Sequence, residues 1–297
     1  MLIPPSVDAA RAEEIVVGLS GARVARLFDS RDLPVAVVKS VDEGRADLAA
    51  ELRGQEARLR WFGARGLPVP RVLGSGSRQG QLWLAMSHLP GRPAHEPWPS
   101  EDRSGVVRLL ARAARALHAA PHRDCPFDAT PPTRLEEARE RVLSGAVDRS
   151  WAAAGREGPP AAAVLPEVVE RARALGPGPV SLTHGDYCLP NVLVHGTGVR
   201  GGPVEDGGRS GRALRDARVR DCGPDGPWGW GFVDLGRAGL GDPHADLADM
   251  VASLLSPMNP QFGPEDAELL LDSYGREDVD TDRLRLCADV AAFFWPE

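Results

Sequence analysis

One polar stretch limits what this chain can become. Thr183-His-Gly-Asp-Tyr-Cys-Leu-Pro-Asn191 lies between two short apolar runs, Val180 to Thr183 and Val192 to His195, which read as strands. Asp186 and Asn191 share that loop, and a second carboxylate, Asp234, closes a further strand in Phe-Val-Asp-Leu-Gly. A carboxylate, a neutral amide oxygen and a second carboxylate are the donors that a hard cation such as Mg²⁺ takes, with substrate phosphates completing its shell. A loop that merely capped strands would account for one such Asp but not for the set. The fold therefore has to bring a loop and a distant strand end together.

The basic residues point the same way. Of 35 basic side chains, one is a lysine, Lys39, and the others are arginines; asparagine occurs only as Asn191 and Asn259. A GC-rich genome would impose this bias wherever the two cations are interchangeable. A lysine that survives it marks a place where a compact ammonium serves and a guanidinium fork does not. The formal charge of −7 argues against a nucleic-acid binder, which needs a basic face. No run approaches the roughly 20 apolar residues of a membrane span. The opening Met-Leu-Ile-Pro-Pro-Ser carries no basic then apolar export pattern. Cys125, Cys188, Cys222 and Cys287 stand far apart, as free thiols in a reducing cytoplasm would. No obligate protein partner is evident.

Two short apolar runs flank Gly18-x-Ser20-Gly21, reading as strand, tight turn, strand, and Pro34 to Val38 is a compact β-branched run that Lys39 closes. From Asp42 to Arg65 the apolar spacing of Leu48, Leu52, Leu59 and Phe62 is helical, until Gly66-Leu-Pro ends it. Leu82 to Met86 is another strand. Beyond it, Val106 to Ala120, Leu135 to Val147 and a segment reaching Leu175 are helical. Residues 196–227 are dense in Gly, Arg and Asp without an apolar period, which predicts a mobile insertion. A strand-rich first third and a helix-rich remainder give an α+β fold of two lobes. The expected division is 1–86 for a small β-rich lobe, 87–91 for a hinge, and 92–297 for a larger helical lobe.

Lys39, the Gly-rich turn, Asp186, Asn191 and Asp234 occur in the chain order of protein-kinase-like phosphotransferases. His184-Gly-Asp-x-x-x-x-Asn191, Asp234-Leu-Gly-Arg and Asp242-Pro-His-Ala-Asp246 resemble the signature of antibiotic kinases. The likeness is to the aminoglycoside 3′-phosphotransferases and the streptomycin 3″-phosphotransferases, and it runs from about residue 14 to the end of the chain. It implies a bilobal kinase-like fold, ATP or GTP with Mg²⁺, and transfer of the γ-phosphate to a hydroxyl of a small molecule, most simply an aminoglycoside. Asp186 would then accept or orient the hydroxyl proton, and Asn191 and Asp234 would hold Mg²⁺. Lys39 would contact the α/β-phosphates, and Ser20, Gly21 and Ala22 would cover them. Met86, Ser87 and Leu89 would meet the purine, and Asp246 would brace the catalytic loop.

Two departures from that family stand out. The Glu expected opposite Lys39 is Gln55, leaving Glu51, one turn back on nearly the same helix face, or the Gln55 amide oxygen to hold the lysine. The acidic position expected near the C-terminus is Ala291, beside Ala292, so Asp148, Asp249, Asp289 and Glu297 remain as acidic contacts for substrate amines. Two alternatives stay open: a kinase of the same fold for another alcohol (a macrolide, an amino alcohol or a sugar amine), and a non-catalytic pseudokinase. A P-loop and a Gly-x-Ser-x-Gly elbow are absent from the sequence, and His184 with Cys188 lacks the second ligand pair of a zinc site.

Overall fold

The computed structural model describes residues 4, 6–15, 21–147, 159–196 and 228–294. The first third is a five-stranded antiparallel sheet in the order β1-β2-β3-β5-β4. Its strands are β1 (Arg11–Ile15), β2 (Arg23–Phe28), β3 (Pro34–Asp42), β4 (Val72–Arg78) and β5 (Gln81–Ser87). The crossing helix α1 (Ala46–Gly63) buries Leu52, Leu59 and Phe62. They join Val41, Leu84 and Met86 in the main apolar core. Ala36 and Val38 belong to a second cluster, with Leu27, Trp83 and Ala85, on the opposite face. Strand alternation therefore puts Lys39 on the face that α1 covers.

Two strand readings are corrected here. β3 does not close at Lys39: Ser40 and Val41 continue the alternation and pair with Trp83 and Leu82, so Lys39 sits inside a strand flanked by Val24 and Leu84. β4, hidden by its glycines, went unread. Those glycines are where the sheet needs them, since a Cβ on Gly76 would stand 3.0 Å from the Trp83 ring.

The remainder is mainly helical. It contains α2 (Ser100–His118), α3 (Pro131–Leu143), α4 (Ala161–Leu175), α5 (Pro243–Leu255), α6 (Pro264–Gly275) and α7 (Thr281–Ala291). Two small sheets are set among them. One joins β6 (Arg92–Pro93), β8 (Val192–Gly196) and β9 (Trp228–Phe232); the other pairs β7 (Ser181–Thr183) with β10 (Gly239–Gly241). The main core is continuous from α1 and β5 through Leu110 and Leu117 of α2 to Val192, Phe232 and Leu247. A separate cluster joins α3, α4 and α7 through Ala138, Leu165, Val168, Leu286 and Phe293. The architecture is α+β with the strand-rich part first, as the sequence predicts.

No helix among the described residues is long and apolar enough to cross a membrane. Cys125, Cys188 and Cys287 are free thiols, while Cys222 and all but Gly196 of the 196–227 segment lie outside the described residues. Phe62, wholly buried between α1 and the sheet, tests how far that packing carries stability. Phe62→Ala should cost about 3–5 kcal/mol, read as a lower urea midpoint at unchanged slope.

Candidate active site

The site is built on the ends of short strands. β8 and β9 pair antiparallel with Val192 opposite Phe232, so the residue before one strand and the segment after the other emerge together. The Val233 amide donates to the Asn191 carbonyl at 3.0 Å, which fixes the two exits side by side. Asp234 therefore lies two residues beyond β9 and does not end the strand. Its φ of 59° places it in the left-handed region and turns its chain away from the sheet.

Within the polar loop, the Asn191 amide nitrogen donates to the Asp186 carboxylate at 2.8 Å and to the Asp186 carbonyl at 3.0 Å. That orientation commits the nitrogen and turns the amide oxygen the other way. His184 is wholly buried; its Nε2 donates to the Val233 carbonyl at 3.0 Å, tying the Asp186 loop to the Asp234 segment. Its ring lies 6.0 Å from those of Tyr187 and Phe232. This is the structural role that the sequence favoured over zinc ligation. Gly185 is required at its place: φ is +75°, and a Cβ would fall 2.2 Å from the Arg237 carbonyl.

Asp246 braces the loop from below. Its two carboxylate oxygens accept the His184 amide at 2.7 Å and the Gly185 amide at 2.9 Å. His118 of α2 adds a third contact, Nε2 to Asp246 at 3.1 Å, while Tyr274 of α6 meets Nδ1 at 2.9 Å. Nothing in the sequence around His118 announces this link. A His on a buried helix face, with a buried Asp far along the chain, was the only signal available.

Above the loop, Lys39 is buried and points at Asp234, Nζ to Oδ1 at 3.2 Å, with Glu51 at 3.9 Å. Gln55 does not hold the lysine by its oxygen. Its Nε2 donates to the same Asp234 oxygen at 3.2 Å. Arg58 completes the contact of α1 with this segment by donating to the Ala238 carbonyl at 2.6 Å. Lys39, Asp234, Asp186 and Asn191, dispersed along the sequence, thus converge through two adjoining chain segments.

Other expected site residues divide. Met86 is buried in the main core, and Leu89 lies against Gly231 of β9. The Ser87 amide donates to the Arg71 carbonyl at 2.8 Å and so is already engaged. Gly21 has a φ of +73°, and Ala22 packs against the main core. Asp289 forms an ion pair with Arg171 of α4. Ser20, Asp148 and Glu297 lie outside the described residues.

A sheet covered by one helix, a buried lysine on its inner strand and a carboxylate–amide pair on a loop below define the class of kinase-like phosphotransferases. The phosphotransferase enzyme family matches residues 11–202, and the chain belongs to it. An aminoglycoside 3′-phosphotransferase of Streptomyces fradiae is 34% identical over 278 residues, 93% of this chain and 92% of that protein. The crystal structure of an aminoglycoside-3′-phosphotransferase of type VIII superposes with a TM-score of 0.73 at 31% identity, covering 95% of this chain and 94% of that one. That of APH(3″)-Id from Streptomyces rimosus, in complex with ADP and streptomycin, gives 0.66 at 25% identity, with 94% of each chain covered. The chain is therefore a nucleotide-using phosphotransferase with an alcohol group as acceptor.

Behind the catalytic loop, Asp249 of α5 borders a cavity of about 40 Å³ together with Arg134, Gly185 and Ala291. That volume is room for water. Burial, then the charges of Asp186 and Asp246, push the Asp249 carboxyl up to about 8, against the pull of Arg134 and the Tyr187 amide. A carboxyl that binds its proton more tightly when folded lends full stability below its unfolded value of 3.8 and loses it as the pH rises through about 8. Wild-type stability should therefore fall between about pH 4 and 8, and Asp249→Asn should flatten that fall by on the order of 1 kcal/mol per pH unit. Melting curves across that range decide it; parallel curves would mean that Asp249 is ionised in the native protein.

Proposed function

We propose that this enzyme transfers the γ-phosphate of ATP to a hydroxyl of an aminoglycoside, inactivating the antibiotic. The observation that carries the reading is the convergence of Lys39 with Asp234 and of Asp186 with Asn191 at the paired exits of β8 and β9. The relatives that match nearly the whole chain bear aminoglycoside names, which supports the substrate class.

The donors present suit Mg²⁺: the Asn191 amide oxygen, turned away from Asp186, and the Asp234 carboxylate offer two hard oxygens and leave the remaining positions to phosphate. Held there, Mg²⁺ would supply positive charge to offset that of the phosphates during transfer. Lys39 serves the α/β-phosphates as a point charge, with Gly21 and Ala22 covering them by backbone amides. Met86, the Ser87 carbonyl and Leu89 border the purine. One Asp186 oxygen is held by Asn191, so the other faces the acceptor hydroxyl and takes or orients its proton. Positioning and electrostatics account for the catalysis, since the phosphoryl group asks little covalent work of the protein.

A second reading, a same-fold kinase for an alcohol with fewer amines, has one observation in its favour. At the end of α7, Ala291 borders the cavity beside Asp249, Ala292 is buried in the α3, α4 and α7 cluster, and the nearby Asp289 is engaged by Arg171. Desolvating several ammonium groups needs carboxylates free to receive them. A transfer assay over kanamycin-, neomycin- and streptomycin-type compounds, with product regiochemistry by phosphorus NMR, separates the two. Modification of any of these supports the aminoglycoside assignment; modification of a macrolide or simple amino alcohol alone supports the second. Asp186→Ala should lower transfer about 10²–10⁴-fold while nucleotide affinity by calorimetry stays within about threefold, because no phosphate contact is removed.

A further inference from the structure

α1 meets the Asp234 segment with three side chains from one face. Glu51, Gln55 and Arg58 fall within about 60° of one another around the helix, and each reaches the chain between Asp234 and Ala238. Glu51 stands 3.9 Å from Lys39 and close to Gly236. Gln55 donates to Asp234, and Arg58 donates to Ala238.

Two details separate the first two residues. The Asp234 oxygen that receives Gln55 also receives Lys39, and an ionised carboxylate only accepts; the Gln55 atom facing it is therefore its NH₂. The Gln55 amide oxygen, deep in the protein, then has no hydrogen-bond partner. A buried acceptor left unsatisfied is unfavourable, so the side chain is kept in place by what its nitrogen does. Glu51, half-exposed at the cleft, is the carboxylate that remains to Lys39 when Asp234 turns its charge to a cation.

We propose that Glu51 is the anionic partner that positions Lys39 in this enzyme, and that Gln55 is a positioning residue that orients Asp234 toward its metal. The family's single Glu is thus replaced by two residues one helical turn apart, one for each of the two groups. This rests on the reading of Lys39 as the phosphate-binding cation and of Asp234 as a metal ligand.

Calorimetric titration of ATP into the full-length chain, at a series of Mg²⁺ concentrations, tests both halves without requiring turnover. Glu51→Gln should weaken ATP about tenfold. In the double variant Glu51→Gln/Gln55→Glu, the carboxylate moves one turn along the same face, and affinity should return to within about threefold of wild type. Gln55→Ala should raise the Mg²⁺ concentration for half-maximal ATP binding about five- to tenfold, with affinity at saturating Mg²⁺ little changed. Where that variant melts early, Gln55→Met fills the space without either polar end and should give the same shift. Wild-type affinity in Glu51→Gln, a double variant no tighter than the single, or an unmoved Mg²⁺ midpoint at position 55 would overturn the proposal. A wild-type chain that gives no heat with Mg²⁺ and ATP overturns instead the nucleotide-site reading beneath it.

Discussion

The Asp246 carboxylate is the fixed point of this protein. It is wholly buried, and its charge is met by the amides of His184 and Gly185 and by the His118 ring. A buried carboxylate without such donors would be strongly unfavourable, so loop and acid specify one another. The two amides belong to the residues that immediately precede Asp186. Holding them sets the direction of that side chain before any ligand arrives, the preorganisation that electrostatic catalysis relies on. His118 carries the constraint to α2, and Tyr274 carries it to α6, so that loop geometry is shared by three helices.

The surroundings of Lys39 obey a different rule. Lys39 is a buried cation within a strand, and its neighbours are carboxylates whose charge a metal would also seek. Arg58 closes the arrangement by hydrogen bonding to a backbone carbonyl with its guanidinium over the Phe127 ring, 4.7 Å from the centroid. Compact ammonium and planar fork have therefore been given separate tasks on adjoining elements. This is a physical account of why one lysine persists among so many arginines.

What could be read from the sequence follows the range of the forces involved. Apolar period gave the helices and most strands because it reports burial locally. The Asp186–Asn191 loop was legible because both residues share one turn of chain. β4 was not, since its glycines answer to distant side chains: a Cβ on Gly76 would press on the Trp83 ring of the neighbouring strand, and one on Gly74 would meet the Ser6 side chain. The extent of β3 past Lys39 depended on partners in β2 and β5. The same limit explains the site: either Glu51 or Gln55 could be named as a partner for Lys39, but only the fold shows Gln55 donating to Asp234. His118 was passed over because Asp246 and Tyr274 reach it from two other helices.

Asp234 gathers these constraints at one residue. Three described residues other than glycine have positive φ: Asp32, Gln79 and Asp234. The first two lie in turns between adjacent strands of the large sheet, where a left-handed residue reverses the chain. Asp234 reverses nothing. It follows β9 into a segment where Lys39 and Gln55 take one carboxylate oxygen and the Val233 groups on its N-terminal side are bonded to Asn191 and His184. A backbone conformation that costs of order 1–3 kcal/mol persists only where its surroundings over-determine it. Here both lobes do so, the lysine and glutamine from above and the Asp186 loop from below. The left-handed turn sends the carboxylate out of the sheet toward α1, and a relaxed backbone would aim it elsewhere. The strain at Asp234 is therefore the structural consequence of making one carboxylate answer to two lobes.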